Sequence, residues 1–157
     1  MDTQPKPRRG VRLVCAALAL LLALTVLAAC GGPKKEDLLA AMGVAESDYN
    51  YVKMSESESG VIILGKEVAE TSKLITRMEL GKMLAKETDD SSMSALYERW
   101  SEIRDEAREE SKALQEKLTA NYKGDAVVEL TVCTAKGAVA MRLRNGEVTY
   151  DYVTSAH

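Results

Sequence analysis

The chain has 157 residues, 46% of them hydrophobic and 29% charged, with a formal charge of −3. That is the composition of a folded globular protein and excludes a disordered acidic or basic tail. From residue 30 onward 17 basic residues face 23 acidic ones, which excludes the basic footprint of a nucleic-acid binder. There is no phenylalanine, so the core must be built from Leu, Val, Met, Ala and tyrosine.

The chain opens with Lys6, Arg8, Arg9 and Arg12, followed by a charge-free apolar run from Leu13 to Ala29. This is the layout of an export signal. The run ends Leu27-Ala28-Ala29-Cys30, with Gly31-Gly32 behind it. These residues resemble the lipobox of bacterial lipoproteins, in which a leucine and two small residues precede the modified cysteine. The resemblance covers the signal and not the rest of the chain. It implies that Cys30 carries a diacylglyceryl group on its thiol, that the bond before it is cleaved, and that the new amino terminus can be acylated too. It also implies attachment to the cell membrane or outer membrane on the extracytoplasmic side. An ordinary secretory signal fits less well, because cleavage before Cys30 puts Leu27 where a small residue is needed. A retained helix is the other reading, since 17 apolar residues stand at the lower end of the membrane-spanning range. The expected division is a signal over 1–29, a lipidated tether over 30–36 and one α+β domain over 37–154. Extended, Gly31–Glu36 reaches roughly 20 Å, so the domain is expected close to the membrane surface.

All three prolines lie at or before position 33, which permits long helices. A first helical pattern starts at about Asp37. Asp48–Met54 and Gly60–Leu64 pattern as two short strands around the polar turn Ser55–Ser59. A second helix is expected from about Lys66 to Lys86, carrying Val68, Leu74, Ile75, Met78, Gly81 and Ala85. The clearest helix follows, with Ser91 or Ser92 as its N-cap. Its stripe is Met93, Leu96, Tyr97, Trp100, Ile103, Ala107, Leu114, Leu118 and Tyr122, weakest at Glu110-Ser111. Asp105 with Arg108 and Glu109 with Lys112 stand at i, i+3 on the polar face, and Lys123-Gly124-Asp125 predicts a left-handed glycine stop.

Three alternating strands close the chain: Val128, Leu130, Val132; Val139, Met141, Leu143; and Val148, Tyr150, Tyr152. Asn145-Gly146 predicts a type I′ hairpin that sets Arg144 opposite Glu147, Leu143 opposite Val148 and Met141 opposite Tyr150. A two-residue turn at Lys136-Gly137 sets Val132 opposite Met141, Leu130 opposite Leu143, Glu129 opposite Arg144 and Cys133 opposite Ala140. Arg144 is then expected between Glu129 and Glu147 on the outer face, with Tyr150 and Tyr152 facing inward. The expected fold class is α+β, with the long helix and a second helix packed on a three-stranded antiparallel meander and a separate hairpin before them. This helix-helix-strand-strand-strand order is similar to that of small envelope lipoproteins that serve as accessory subunits of outer-membrane assembly machines, a likeness of element order alone.

Catalytic parts are scarce. The one histidine is His157, and Cys133 is the one thiol left after the signal and Cys30. A Ser-His-acid triad, a histidine metal site and an intramolecular disulfide are therefore not expected, and Cys133 reads as a structural thiol with no base to activate it. Glu102, Asp105, Glu106 and Glu109 share a helix face, but Arg104 and Arg108 among them point to a solvated surface rather than a Ca²⁺ site. No cofactor and no metal is expected. The reading that follows is a lipid-anchored, non-catalytic accessory or binding protein of the envelope, with Leu96, Tyr97 and Trp100 as candidate partner-binding residues. The alternative is a small hydrolase using a carboxylate pair.

Overall fold

The computed structural model describes residues 32–84 and 90–155. The signal, Cys30, Ala85, Lys86 and His157 lie outside the described residues. Pro33–His157 forms one compact unit of α+β class. Helix α1 (Lys35–Met42) and a single 3₁₀ turn (Glu46–Asp48) lead into strands β1 (Tyr51–Met54) and β2 (Val61–Glu67). Helices α2 (Ala69–Met83) and α3 (Asp90–Asn121) follow, then β3 (Val127–Cys133), β4 (Val139–Arg144), β5 (Glu147–Asp151) and a terminal turn α4 (Tyr152–Ser155). Among the described residues no helix is long and apolar enough to cross a membrane.

Helix α1 begins two residues before Asp37, so Lys35 and Glu36 belong to it rather than to a tether. Lys35 is held there by Glu46 at 2.8 Å. Leu38, Leu39 and Met42 are buried.

The hairpin and the meander are not separate. They form one five-stranded sheet in the order β1-β2-β3-β4-β5, antiparallel except for the parallel pair β2–β3. Parallel neighbours need a crossover connection, and the α2–α3 helical hairpin supplies it. This corrects the expected three-stranded antiparallel meander. It also explains why β2 outruns the expected Leu64: Lys66 and Glu67, assigned by pattern to a helix, pair with Val132 and Cys133. Strand β1 is correspondingly shorter, because Glu46–Asp48 has already turned.

Both C-terminal hairpins contain a register shift that alternation could not reveal. The pairings Glu129–Arg144, Leu130–Leu143 and Val132–Met141 hold, but Cys133 then lies opposite Val139 rather than Ala140. Thr134 closes the connection by donating its N–H to the Ala138 carbonyl at 2.9 Å. With Gly137 at φ 77°, the turn is a three-residue loop with a left-handed glycine, not a two-residue one. At β4–β5 the pairs Arg144–Glu147 and Leu143–Val148 are as expected, and a bulge at Thr149 then sets Tyr150 opposite Arg142 and Asp151 opposite Met141. One extra residue exchanges the faces of everything after it. Tyr150 therefore faces outward, with the Arg142 guanidinium 6.0 Å from its ring centre, and Asp151 turns inward.

Helix α3 lies on β3 and β4. Trp100, Ile103, Ala107, Leu114 and Leu118 meet Ile62, Leu64, Val128, Leu130, Val132, Met141 and Leu143 in one core. The helix is already formed at Asp90, so Ser91 and Ser92 stand in its first turn rather than capping it. The weak place in the stripe has a physical cause. Ser111 is fully buried where the β4–β5 turn crosses the helix, and its Oγ accepts the Gly146 N–H at 3.2 Å. Gln115 extends the same logic, accepting the Val128 N–H at 2.9 Å and donating to the Ala126 carbonyl at 3.1 Å, so its amide acts as a strand partner for the start of β3. The expected left-handed stop is absent, since Gly124 does not take positive φ. A Cβ there would lie 2.6 Å from the Tyr122 ring, which would have to shift to admit it.

On the outer face Arg144 bridges Glu129 and Glu58, not Glu129 and Glu147, at 2.7 Å to each carboxylate. The β1–β2 turn that carries Glu58 reaches this position only because β2 joins β3.

Asn145 and Gly146 take φ 49° and 76°, and a Cβ on Gly146 would lie 3.2 Å from Lys112 Cβ and 3.3 Å from the Arg108 carbonyl oxygen. Gly146→Val is expected to lower stability by about 2–3 kcal/mol through strain and lost helix contact. Arg144→Ala, which leaves Glu129 under-paired beside Arg142, should cost about 1–2 kcal/mol. Urea unfolding of both variants checks the order.

Candidate functional site

Lengths decide where the molecule has surface to offer. Helix α3 has 32 residues and is about 48 Å long, whereas β3 has seven and spans about 23 Å. Its C-terminal two-thirds covers the sheet. Its first ten residues project beyond, alongside the end of α2, which runs antiparallel to it: Arg99 pairs with Glu70 at 2.8 Å, and Met93 sits over Gly81, its sulfur 2.2 Å from where a Cβ would be. Without a sheet beneath it, this overhang leaves apolar side chains open. Leu80 is 49% exposed, Met83 80% and Leu84 54%. Leu80 and Leu84 line a shallow groove of about 460 Å³ together with Met93 and Leu96 of α3.

The three residues expected to bind a partner separate. Tyr97 is exposed and Leu96 half-buried in the groove, but Trp100 is only 2% exposed. Its indole N–H donates to the buried Asp151 carboxylate at 3.1 Å. Asp151 also accepts the backbone N–H of Val153 at 2.9 Å, with Arg104 3.9 Å away. This carboxylate is the price of the bulge at Thr149: turned inward, it must be satisfied, and it is satisfied by capping α4 and receiving Trp100. Trp100 thus belongs to the core. Leu80, Met83 and Leu84 take its place as open apolar surface, and the weak helical pattern of α2 had hidden them.

A second hollow, of about 360 Å³, lies on the other side of α2. Ile75, Met78, Met83 and Val153 form its apolar walls, with Tyr152, Glu79 and Lys82 around them. The Tyr152 hydroxyl donates to the Glu79 carboxylate, which holds that phenol above its ordinary range. Tyr152 therefore does not face the sheet interior as alternation implied.

Cys133 is buried, its Sγ 3.8 Å from the Tyr51 hydroxyl. Glu102, Asp105, Glu106 and Glu109 are exposed on the outer side of α3, where Arg108 lies 3.6 Å from Asp105. Among the described residues no group of three His, Cys, Asp or Glu side chains is placed to hold a metal ion. No family model, curated protein or solved structure matches the chain.

Sealed in this way, Trp100 should emit at short wavelength and resist quenching by iodide. Asp151→Ala should leave the indole N–H buried without an acceptor and cost about 1–3 kcal/mol. Quenching and urea unfolding of the two proteins measure both effects.

Proposed function

We propose that this chain is a lipid-anchored, non-catalytic lipoprotein of the bacterial envelope, an accessory or binding protein tethered through Cys30 on the extracytoplasmic side of its membrane. The observation that carries the reading is Leu27-Ala28-Ala29-Cys30 standing three residues before the compact unit that begins at Pro33. Two or three acyl chains make such attachment durable, because each buried methylene contributes about 0.8 kcal/mol.

The geometry of the unit suits this role. Helix α1, next to the tether, meets the far end of α3, where Asn121 donates to the Ala41 carbonyl at 2.9 Å. Met93 is 28 residues earlier on the same helix, about 42 Å away along its axis. The overhang with Leu80, Leu84, Leu96 and Tyr97 is therefore at the opposite end of α3 from α1, the helix next to the tether in sequence, and we assign it as the face offered to an envelope partner.

Metabolic labelling with a radioactive fatty acid tests the anchor: the parent should incorporate label and Cys30→Ala should not, and equal incorporation would overturn the reading. For the face, Leu80→Asp with Leu84→Asp should abolish crosslinks formed from native membranes while leaving the melting temperature within a few degrees, because both side chains are already half exposed. Unchanged crosslinks would move the partner face elsewhere.

A further inference from the structure

Glu79 and Lys82 are one turn apart on α2, yet they do not pair with each other, and among the described residues neither has an oppositely charged partner. Glu79 is held by the neutral Tyr152 hydroxyl. Both charges line the hollow walled by Ile75, Met78, Met83 and Val153. Its volume of about 360 Å³ falls within the roughly 300–1,000 Å³ of small-molecule sites, whose usual make-up is apolar walls with a few fixed polar groups. We propose that this hollow binds a free apolar α-amino acid, with its ammonium on Glu79, its carboxylate on Lys82 and its side chain among Ile75, Met78 and Val153.

Both charges of such a ligand meet a complementary one, and a molecule with a single charge would leave a carboxylate or an ammonium of the site unanswered. The competing direct contact between Glu79 and Lys82 is weak, as exposed i, i+3 pairs are, so little opposes insertion of a zwitterion between them. Tyr152 fixes the Glu79 carboxylate in place before the ligand arrives, which lowers the ordering cost of binding. Met83 is 80% exposed at the mouth, and its flexible thioether can fold over a bound side chain. The inference does not depend on lipid attachment, since the labelling experiment reads Cys30 alone.

The test is a titration of the full chain in nanodiscs of uncharged lipid, with ¹³C-labelled methionine methyls assigned through Met78→Leu and Met83→Leu. Leucine should shift the Met78 and Met83 signals saturably. Isoamylamine, which lacks the carboxylate, 4-methylpentanoate, which lacks the ammonium, and glycine, which lacks the apolar side chain, should each bind at least tenfold more weakly. Glu79→Gln, which still accepts the Tyr152 hydroxyl, and Lys82→Gln should each weaken leucine at least fivefold with the spectrum otherwise unchanged. Absence of a saturable shift with leucine, equal binding of glycine or of either singly charged analogue, or variants that bind leucine as the parent does would overturn the proposal.

Discussion

The disparity between α3 and the strands it covers governs this molecule. A helix of about 48 Å on strands of about 23 Å cannot bury its whole stripe against one sheet. The part that does lie over the sheet supplies Trp100, Ile103, Ala107, Leu114 and Leu118 to the core. The remainder runs alongside the end of α2, where Leu80, Met83 and Leu84 of α2 are exposed and Met93 and Leu96 of α3 are half-buried. The mismatch therefore creates both the stable half of the protein and the half with surface to give.

Polar groups fix how the helix sits. Ser111 receives the turn of the β4–β5 hairpin, Gln115 receives the start of β3, and Trp100 reaches Asp151 at the edge of the sheet. These contacts are spaced along one helix and each touches a different strand or turn. Apolar packing alone would tolerate sliding by a turn, whereas a buried donor left without its acceptor costs about 1–3 kcal/mol. The three together set the register of helix on sheet, and so set how far the overhang projects.

The outer face of the sheet obeys a related rule. Glu129 is buried on this face and is paired with Arg144, which also binds Glu58 from the β1–β2 turn. A single guanidinium thereby links the first hairpin to the last one across the parallel junction. Its donors form a fork that suits two carboxylates at once, which a lysine would not reproduce.

Much of this was legible in the sequence. The long stripe of α3, the Asn145-Gly146 turn, and the pairings of Leu130 with Leu143 and Glu129 with Arg144 follow from local periodicity and backbone sterics, which act over a few residues and leave their mark in residue order. The α+β class followed from the same patterns. What tertiary structure alone decided are the long-range choices: that β2 pairs with β3, that Thr149 bulges so that Asp151 rather than Tyr150 turns inward, and that Trp100 is sealed while Leu80, Met83 and Leu84 stay open. Each depends on which distant group satisfies a buried polar atom or lies beneath a side chain. Strand alternation reads the same on either side of a bulge, and a helical stripe reads the same whether a sheet lies under it or water does.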